Sequence, residues 1–190
     1  MLEEVRSLVK KASVEQDKIY QADWKYHISL VVKYSKLLAE RTGADVKLAE
    51  LGALLHDIGR IRFGPENHEI TGANEAEKIL KELNCPKETI AEIRHCVESH
   101  RGSGTARPRT KVAQIIANAD AMAHFDAIPF LLQVALKNEN GDLEKAVSWL
   151  HDKIERDWNK KLTLPEAKEM MKEKYEAIRL LLGATVECSK

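Results

Sequence analysis

Histidine and aspartate recur in this chain where they can share a cation. His56 and Asp57 are adjacent, His27 lies one helical segment earlier, and Asp120 lies well downstream. Imidazole nitrogens mixed with carboxylate oxygens suit a divalent transition metal (Mn, Fe, Co, Ni or Zn) or Mg better than copper or calcium. Such an ion lowers the pKa of a bound water from about 15.7 toward roughly 7 and polarises a phosphoryl oxygen. Arginines stand beside these residues: Arg60 three positions after Asp57, and Arg101 directly after His100. Guanidinium groups grip phosphate through paired N–H donors. Together these residues offer a site where a divalent ion and fixed positive charge could act on an anionic group such as phosphate.

Helical phase shows which polar residues face inward. A polar side chain in register with an apolar stripe points into the core, where it needs a partner. His27 shares a face with Leu30, Val31, Tyr34 and Leu38, and His56 with Leu48, Gly52 and Leu55. Asp57 is turned by about 100° around the same helix. Asp120 is in phase with Ala113, Ile116 and Ala117, and His100 with Ile93, Cys96 and Val97. His68 is in looser register with Gly72, Ala76 and Ile79, whereas His95 falls with Glu92, Glu98 and Ser99 and should face water. A single inward histidine is commonly a core residue bonded to a backbone carbonyl. Several on different helices are satisfied together most simply by one cation, and a second can be accommodated. Two residues compete for a place in the set. His124 is four positions after Asp120 and is a rival ligand. His151-Asp152 is a second His-Asp pair, but it lacks the small residues around His56 and reads as a core or docking element.

The elements that must position these groups are helices. Apolar residues recur at helical spacing over about 2–18, 22–41, 46–58, 68–83, 87–100, 110–125, 129–137, 142–160 and 165–183. Asp45 and Asn67 are placed as N-caps, Pro86 opens a helix, and Gly43 and Gly59 are placed as stops. Residues 101–110, rich in Gly, Pro and small polar side chains, read as a loop. The expected fold is all-α: a compact helical bundle over 1–137 with a two-helix extension over 138–190, divided at the turn Asn138–Gly141 and serving as a lid or an oligomer surface.

Composition narrows the partners. Lys plus Arg (30) balance Asp plus Glu (30) in 190 residues, and aromatics make up 5%. A neutral chain with no aromatic platform beside its basic residues argues against nucleic acid. No apolar run approaches the roughly 18 residues a bilayer requires. Three scattered cysteines and no signal-peptide pattern suggest a reducing, cytoplasmic setting.

The ordered set of His27, LGALLHDIGR with His56-Asp57, and NADAMAHF with Asp120 resembles the HD superfamily of metal-dependent phosphohydrolases, specifically its HDIG type, over roughly residues 20–130. The resemblance implies an HD-domain bundle in which His27, His56, Asp57 and Asp120 hold a metal whose bound water is positioned by Asp57. It puts His68 (in HEITGANEAEKIL) and His100 (in IRHCVESHRG) where relatives bind a second metal or substrate phosphate. Two positions depart from some relatives: Arg60 stands where some nucleotidase members carry a catalytic glutamate and resembles instead the basic residue of the HDIG type, and Asn118 replaces a residue that is often acidic. The expected activity is attack of metal-bound hydroxide on a small phosphate ester, a nucleotide or related metabolite, with Arg60 and Arg101 binding substrate. Two other readings are a di-iron oxygenase and a non-catalytic nucleotide-binding module. The C-terminal helices are also the expected surface for any homodimer.

Overall fold

The apolar stripes become helices arranged around one buried helix. The computed structural model describes residues 1–15, 24–102, 104 and 106–187, with side chains through residue 183. No strand occurs among the described residues, so the fold is all-α. α1 (Leu2–Glu15) was expected to reach residue 18. Its expected end, and the expected start of the next helix at 22, lie outside the described residues. A π-helical turn, Trp24–Ile28, runs directly into α2 (Ser29–Thr42). Gly43, at φ 69°, closes α2 with its N–H on the Ala39 carbonyl. The Asp45 carboxylate accepts the Leu48 N–H at 3.0 Å to start α3 (Val46–Leu55).

Here the structure differs from expectation. The helix does not run on to a stop at Gly59; it breaks at His56 and Asp57, and α4 (Ile58–Phe63) follows. Asp57 sits at φ −106°, ψ 14°, in the sparsely used bridge region between the helical and extended basins. Its carboxylate therefore projects from a junction rather than from the side of a continuous helix. Gly59 lies inside α4, where it allows close approach to α5 (His68–Glu82). A Cβ at Gly59 would collide with the His68 carbonyl and the Gly72 N–H and lie 2.7 Å from Gly72 Cα. Asn67 precedes α5 in a left-handed conformation (φ 48°) and makes no side-chain cap, so it turns the chain by its backbone alone.

α6 (Lys87–Ser99) follows Pro86, and α7 (Lys111–Asp126) starts where the Thr110 hydroxyl accepts the Ala113 N–H at 3.1 Å. α8 (Ile128–Asn138), α9 (Leu143–Arg156), a second π-helical turn at Asp157–Lys161 and α10 (Pro165–Glu187) complete the described chain. α7 is buried almost all round and packs on α2, α3, α6 and α10. Its Ile115, Ile116 and Met122 are fully buried, and each contributes roughly 1.5–3 kcal/mol. Among the described residues no single helix is long and apolar enough to cross a membrane.

The chain after residue 138 is fastened to α7 by an amide. Asn118 is fully buried; its Nδ2 donates to Gln114 O (2.8 Å) and Thr163 Oγ1 (3.0 Å). Its Oδ1 accepts the N–H groups of Thr163 (2.8 Å) and Leu164 (3.0 Å). A carboxylate could accept the last two bonds but not donate the first two, which accounts for an amide rather than an acid at this position. Farther along, Trp158 and Tyr175 stack at 4.2 Å with Phe125 at their edges.

The Gly59–Gly72 approach generates a stability prediction. Gly59→Ala should force α4 and α5 apart and cost about 3 kcal/mol or more, the upper range for overpacking. Urea unfolding followed by circular dichroism checks this, and a loss below about 1 kcal/mol would show that the contact is soft.

Candidate metal centre

Each imidazole of the cluster arrives by its own route. His27 comes from the first π-helical turn, and His56 from the residue after α3. His68 opens α5, His100 follows α6, and His124 lies in the last turn of α7. All five are buried, with His56 fully enclosed. Three of them fix their rings in the same way. Nδ1 of His56 donates to Ala53 O (2.7 Å), that of His68 to Pro65 O (3.0 Å) and that of His100 to Val97 O (2.7 Å). Each Nε2 then presents a lone pair to the centre.

Those Nε2 atoms surround two carboxylates. Asp57 divides its oxygens: Oδ2 lies 3.3 Å from His27 Nε2 and 3.7 Å from His56 Nε2, while Oδ1 lies 3.5 Å from both His68 Nε2 and His100 Nε2. Asp120 Oδ1 is 3.4 Å from His27 Nε2 and 3.6 Å from His124 Nε2. His27 Nε2 and His56 Nε2 are 3.1 Å apart. Donors bonded to one ion at about 2.0–2.1 Å stand roughly 3.0–3.4 Å apart along a coordination edge. The separations are close to that spacing, so the donor set fits a divalent cation. The ligand atoms form three groups, each within 4.8 Å throughout: His27, His56 and Asp57; His27, Asp120 and His124; Asp57, His68 and His100. Two oxygens of Asp57 serving two groups is the arrangement of a carboxylate that can bridge two ions.

The structure thus brings together His27, His56, Asp57, Asp120, His68 and His100, and adds His124. His95 stays outside; its Nε2 accepts the Arg109 N–H at 3.0 Å and steadies the loop before α7. His151 is also outside, partly exposed beside Asp152 at 3.5 Å. Arg60 is at the centre, donating from Nε to Asp57 Oδ2 at 2.9 Å. Arg101 is at the edge, where it donates to Glu69 Oε2 at 3.0 Å.

Three further residues come from the C-terminal part of the chain. Lys161 Nζ pairs with Asp120 Oδ2, Asp157 Oδ2 accepts from His124 Nδ1 at 2.8 Å, and Lys153 Nζ lies 3.4 Å from Asp157 Oδ2. Sequence reasoning missed all three, yet a signal was present. Asp157 and Lys161 continue the Leu150, Ile154 stripe at helical spacing, and a carboxylate and an ammonium in phase with that stripe were as informative as an imidazole.

Electrostatics keep the carboxylates ionised. Burial pushes the Asp57 carboxyl up, but the Arg60 guanidinium, the leading opposing charge, holds it well below the usual range. Asp120 behaves in the same way, with Lys161 as the leading opposing charge. Burial also lowers the Lys161 ammonium, but Asp120 and Asp157 more than compensate and raise it, so it stays charged. The imidazoles move toward neutrality: burial lowers His56 to about 3, and burial with Lys153 lowers His124 to about 4. A neutral imidazole is the form that binds metal.

These shifts fix a pH dependence for the metal-free protein. In the unfolded chain both histidines protonate near the ordinary 6.5, whereas the folded chain resists until about 3 and 4. Their stabilising contribution is therefore full above 6.5 and is lost as pH falls through that window, by roughly 1.4 kcal/mol per pH unit for each ring. The depressed carboxylates act in the same direction at lower pH. Urea unfolding in a chelator between pH 7.5 and 4.5 should show stability falling with acid; a flat or rising profile would mean the rings are already protonated when folded.

The stretch that carries His27 through His124 lies within the span of a known domain family. The model of the HD domain matches residues 25–124, more than half of the chain. The chain is similar to a tRNA (cytidine(56)-2'-O)-methyltransferase of Picrophilus torridus, 31% identical over 145 residues, covering 67% of this chain and 40% of that protein. It is also similar to ribonuclease Y of Finegoldia magna, 33% identical over 102 residues, covering 51% of this chain and 17% of the relative. The chain therefore spans well under half the length of these curated relatives. Among solved structures, Bacillus subtilis YpgQ in complex with ADP superposes with a TM-score of 0.72 at 19% identity, covering 100% of this chain and 94% of that one. Given the residues matched, this chain belongs to the HD domain family.

Proposed function

We propose that this protein is a metal-dependent phosphohydrolase acting on a small phosphate ester, with nucleotides as the leading substrate class. The observation that carries the reading is the convergence of imidazole Nε2 atoms on Asp57 and Asp120 with two fixed cations, Arg60 and Lys161, at the same carboxylates. His27, His56, Asp57 and Asp120 would hold the first ion, and His68 and His100, with the second oxygen of Asp57, would hold another. A bound divalent ion supplies Lewis acidity and an activated water at neutral pH.

The chain's own residues do the rest. Arg60 is anchored through Nε on Asp57, so its charge is set where transferring phosphoryl oxygens would gather. Oriented charge of this kind favours the transition state because it need not reorganise as the reaction proceeds. Lys161 carries an ammonium on the opposite carboxylate, with its stem against Gly102, and can neutralise a second phosphate oxygen or the departing one. Arg101 is tied to Glu69 at the rim, which places it to meet the outer part of a substrate. ADP bound by YpgQ supports a nucleotide, because the fold is shared. The ribonuclease Y relative makes an RNA phosphodiester the second reading.

A direct screen tests the assignment. Nucleoside mono-, di- and triphosphates, nitrophenyl mono- and diesters and a short RNA would each be incubated with Mn, Co, Ni, Zn and Mg. Phosphate release from one or more nucleotides is expected, and Arg60→Ala should lower kcat/KM by roughly 10²-fold or more while metal content stays intact. Arg41→Ala, remote from the centre, should match the parent. Cleavage confined to RNA would replace the small-ester reading. No hydrolysis with any ion would remove the phosphohydrolase reading and favour oxygen chemistry or nucleotide binding alone.

A further inference from the structure

We infer that His124 is an additional ligand of the primary metal, and that Asp157 from the C-terminal segment is the group that orients it. The inference rests on the metal-dependent reading above and extends it to a residue that the sequence left as a rival ligand.

Three observations carry it. First, Asp120 groups with His27 and His124, all ligand atoms lying within 4.8 Å, rather than with His56 and Asp57. Second, the His124 ring is positioned like the other inward imidazoles. Its Nδ1 is taken by Asp157 Oδ2 at 2.8 Å, so Nε2, 3.6 Å from Asp120 Oδ1, is the atom left with a lone pair toward the centre. His56, His68 and His100 use backbone carbonyls for the same purpose. A carboxylate in that place fixes the tautomer and makes the ring a stronger donor, the usual relation between a metal-bound histidine and its outer partner. Third, the His124 ring lies parallel to that of His27, interplanar angle 6° and centroids 5.4 Å apart, so two rings reach the same region side by side.

Asp120 can serve this arrangement without losing Lys161, because the two contacts use different oxygens. Oδ1 faces His27 and His124, while Oδ2 takes the ammonium. A hydrogen-bonded core pair would also satisfy Nδ1 and Asp157. It gives no reason, however, for Nε2 to be directed at a carboxylate already shared with a second imidazole.

Cobalt binding separates the alternatives without relying on turnover. The full chain, freed of metal, would be titrated with Co(II) while visible absorption reports ligand number and isothermal calorimetry reports affinity. His124→Ala should weaken the primary site and change the cobalt band; His124→Gln, which keeps a polar side chain of similar reach, covers the case in which the alanine protein does not fold. Asp157→Asn should weaken cobalt binding by roughly 10–100-fold, the range for loss of an outer partner. His151→Ala should match the parent. Parent-like affinity and an unchanged band in both the His124→Gln and Asp157→Asn proteins would overturn the inference. If Asp57→Ala nevertheless loses the metal in that same series, the metal-dependent reading stands without His124. If the parent binds no Co(II), Mn or Zn, both fall together.

Discussion

Two carboxylates, Asp57 and Asp120, are held in a nearly dry space among five imidazoles, and much of the architecture follows from keeping them ionised. An uncompensated buried carboxylate costs several kcal/mol, and neutral histidines cannot supply the missing charge. Arg60 reaches Asp57 from the turn immediately after it, at the junction where the helix breaks at His56 and restarts at Ile58. Lys161 reaches Asp120 from the far end of the chain, which requires the segment after α9 to lie against α7. A divalent cation would take over most of the neutralising task. The two protein cations would then face a site with positive charge to spare, which is the condition for attracting an anionic substrate.

Both π-helical turns occur where the centre takes side chains from a helix end. His27 is in the first, and Asp157 and Lys161 bound the second. A π-helical turn admits an extra residue and rotates everything beyond it, at the expense of poorer hydrogen-bond geometry, and such turns are frequent at functional sites. At the second turn the benefit is visible: Asp157 and Lys161 approach two different residues of α7, His124 and Asp120, one helical turn apart.

What the sequence made legible depends on how local the determinant was. The inward phase of His27, His56, Asp120 and His100 was readable because each sits on an apolar stripe that burial must respect. The Asp45 cap was readable for a similar reason, since a carboxylate before a helical run finds its own backbone partner. The break at His56 was not readable: Gly59 resembles a helix stop in isolation, and its real task is contact with Gly72, thirteen residues away. His151-Asp152 was a misleading pair, because periodicity alone does not separate a buried face from its shoulder. The centre's debt to the C-terminal residues was hidden because Asp157 and Lys161 belong to no motif and are identified by what they touch.

That debt bears on how the second donor group is coupled to the first. Gly102 follows His100 and Arg101, and a Cβ there would lie 3.3 Å from Lys161 Cδ and 3.4 Å from its Cγ. The lysine stem thus passes tightly between the loop after α6 and the carboxylate on α7. Asn118 fixes the other side of the same segment through three hydrogen bonds to Thr163 and Leu164. The ammonium is thus held at the Asp120 carboxylate by close packing on one side of its segment and hydrogen bonds on the other. A cation ordered in this way contributes its charge at the centre without first losing conformational freedom, which is the advantage of a preorganised site.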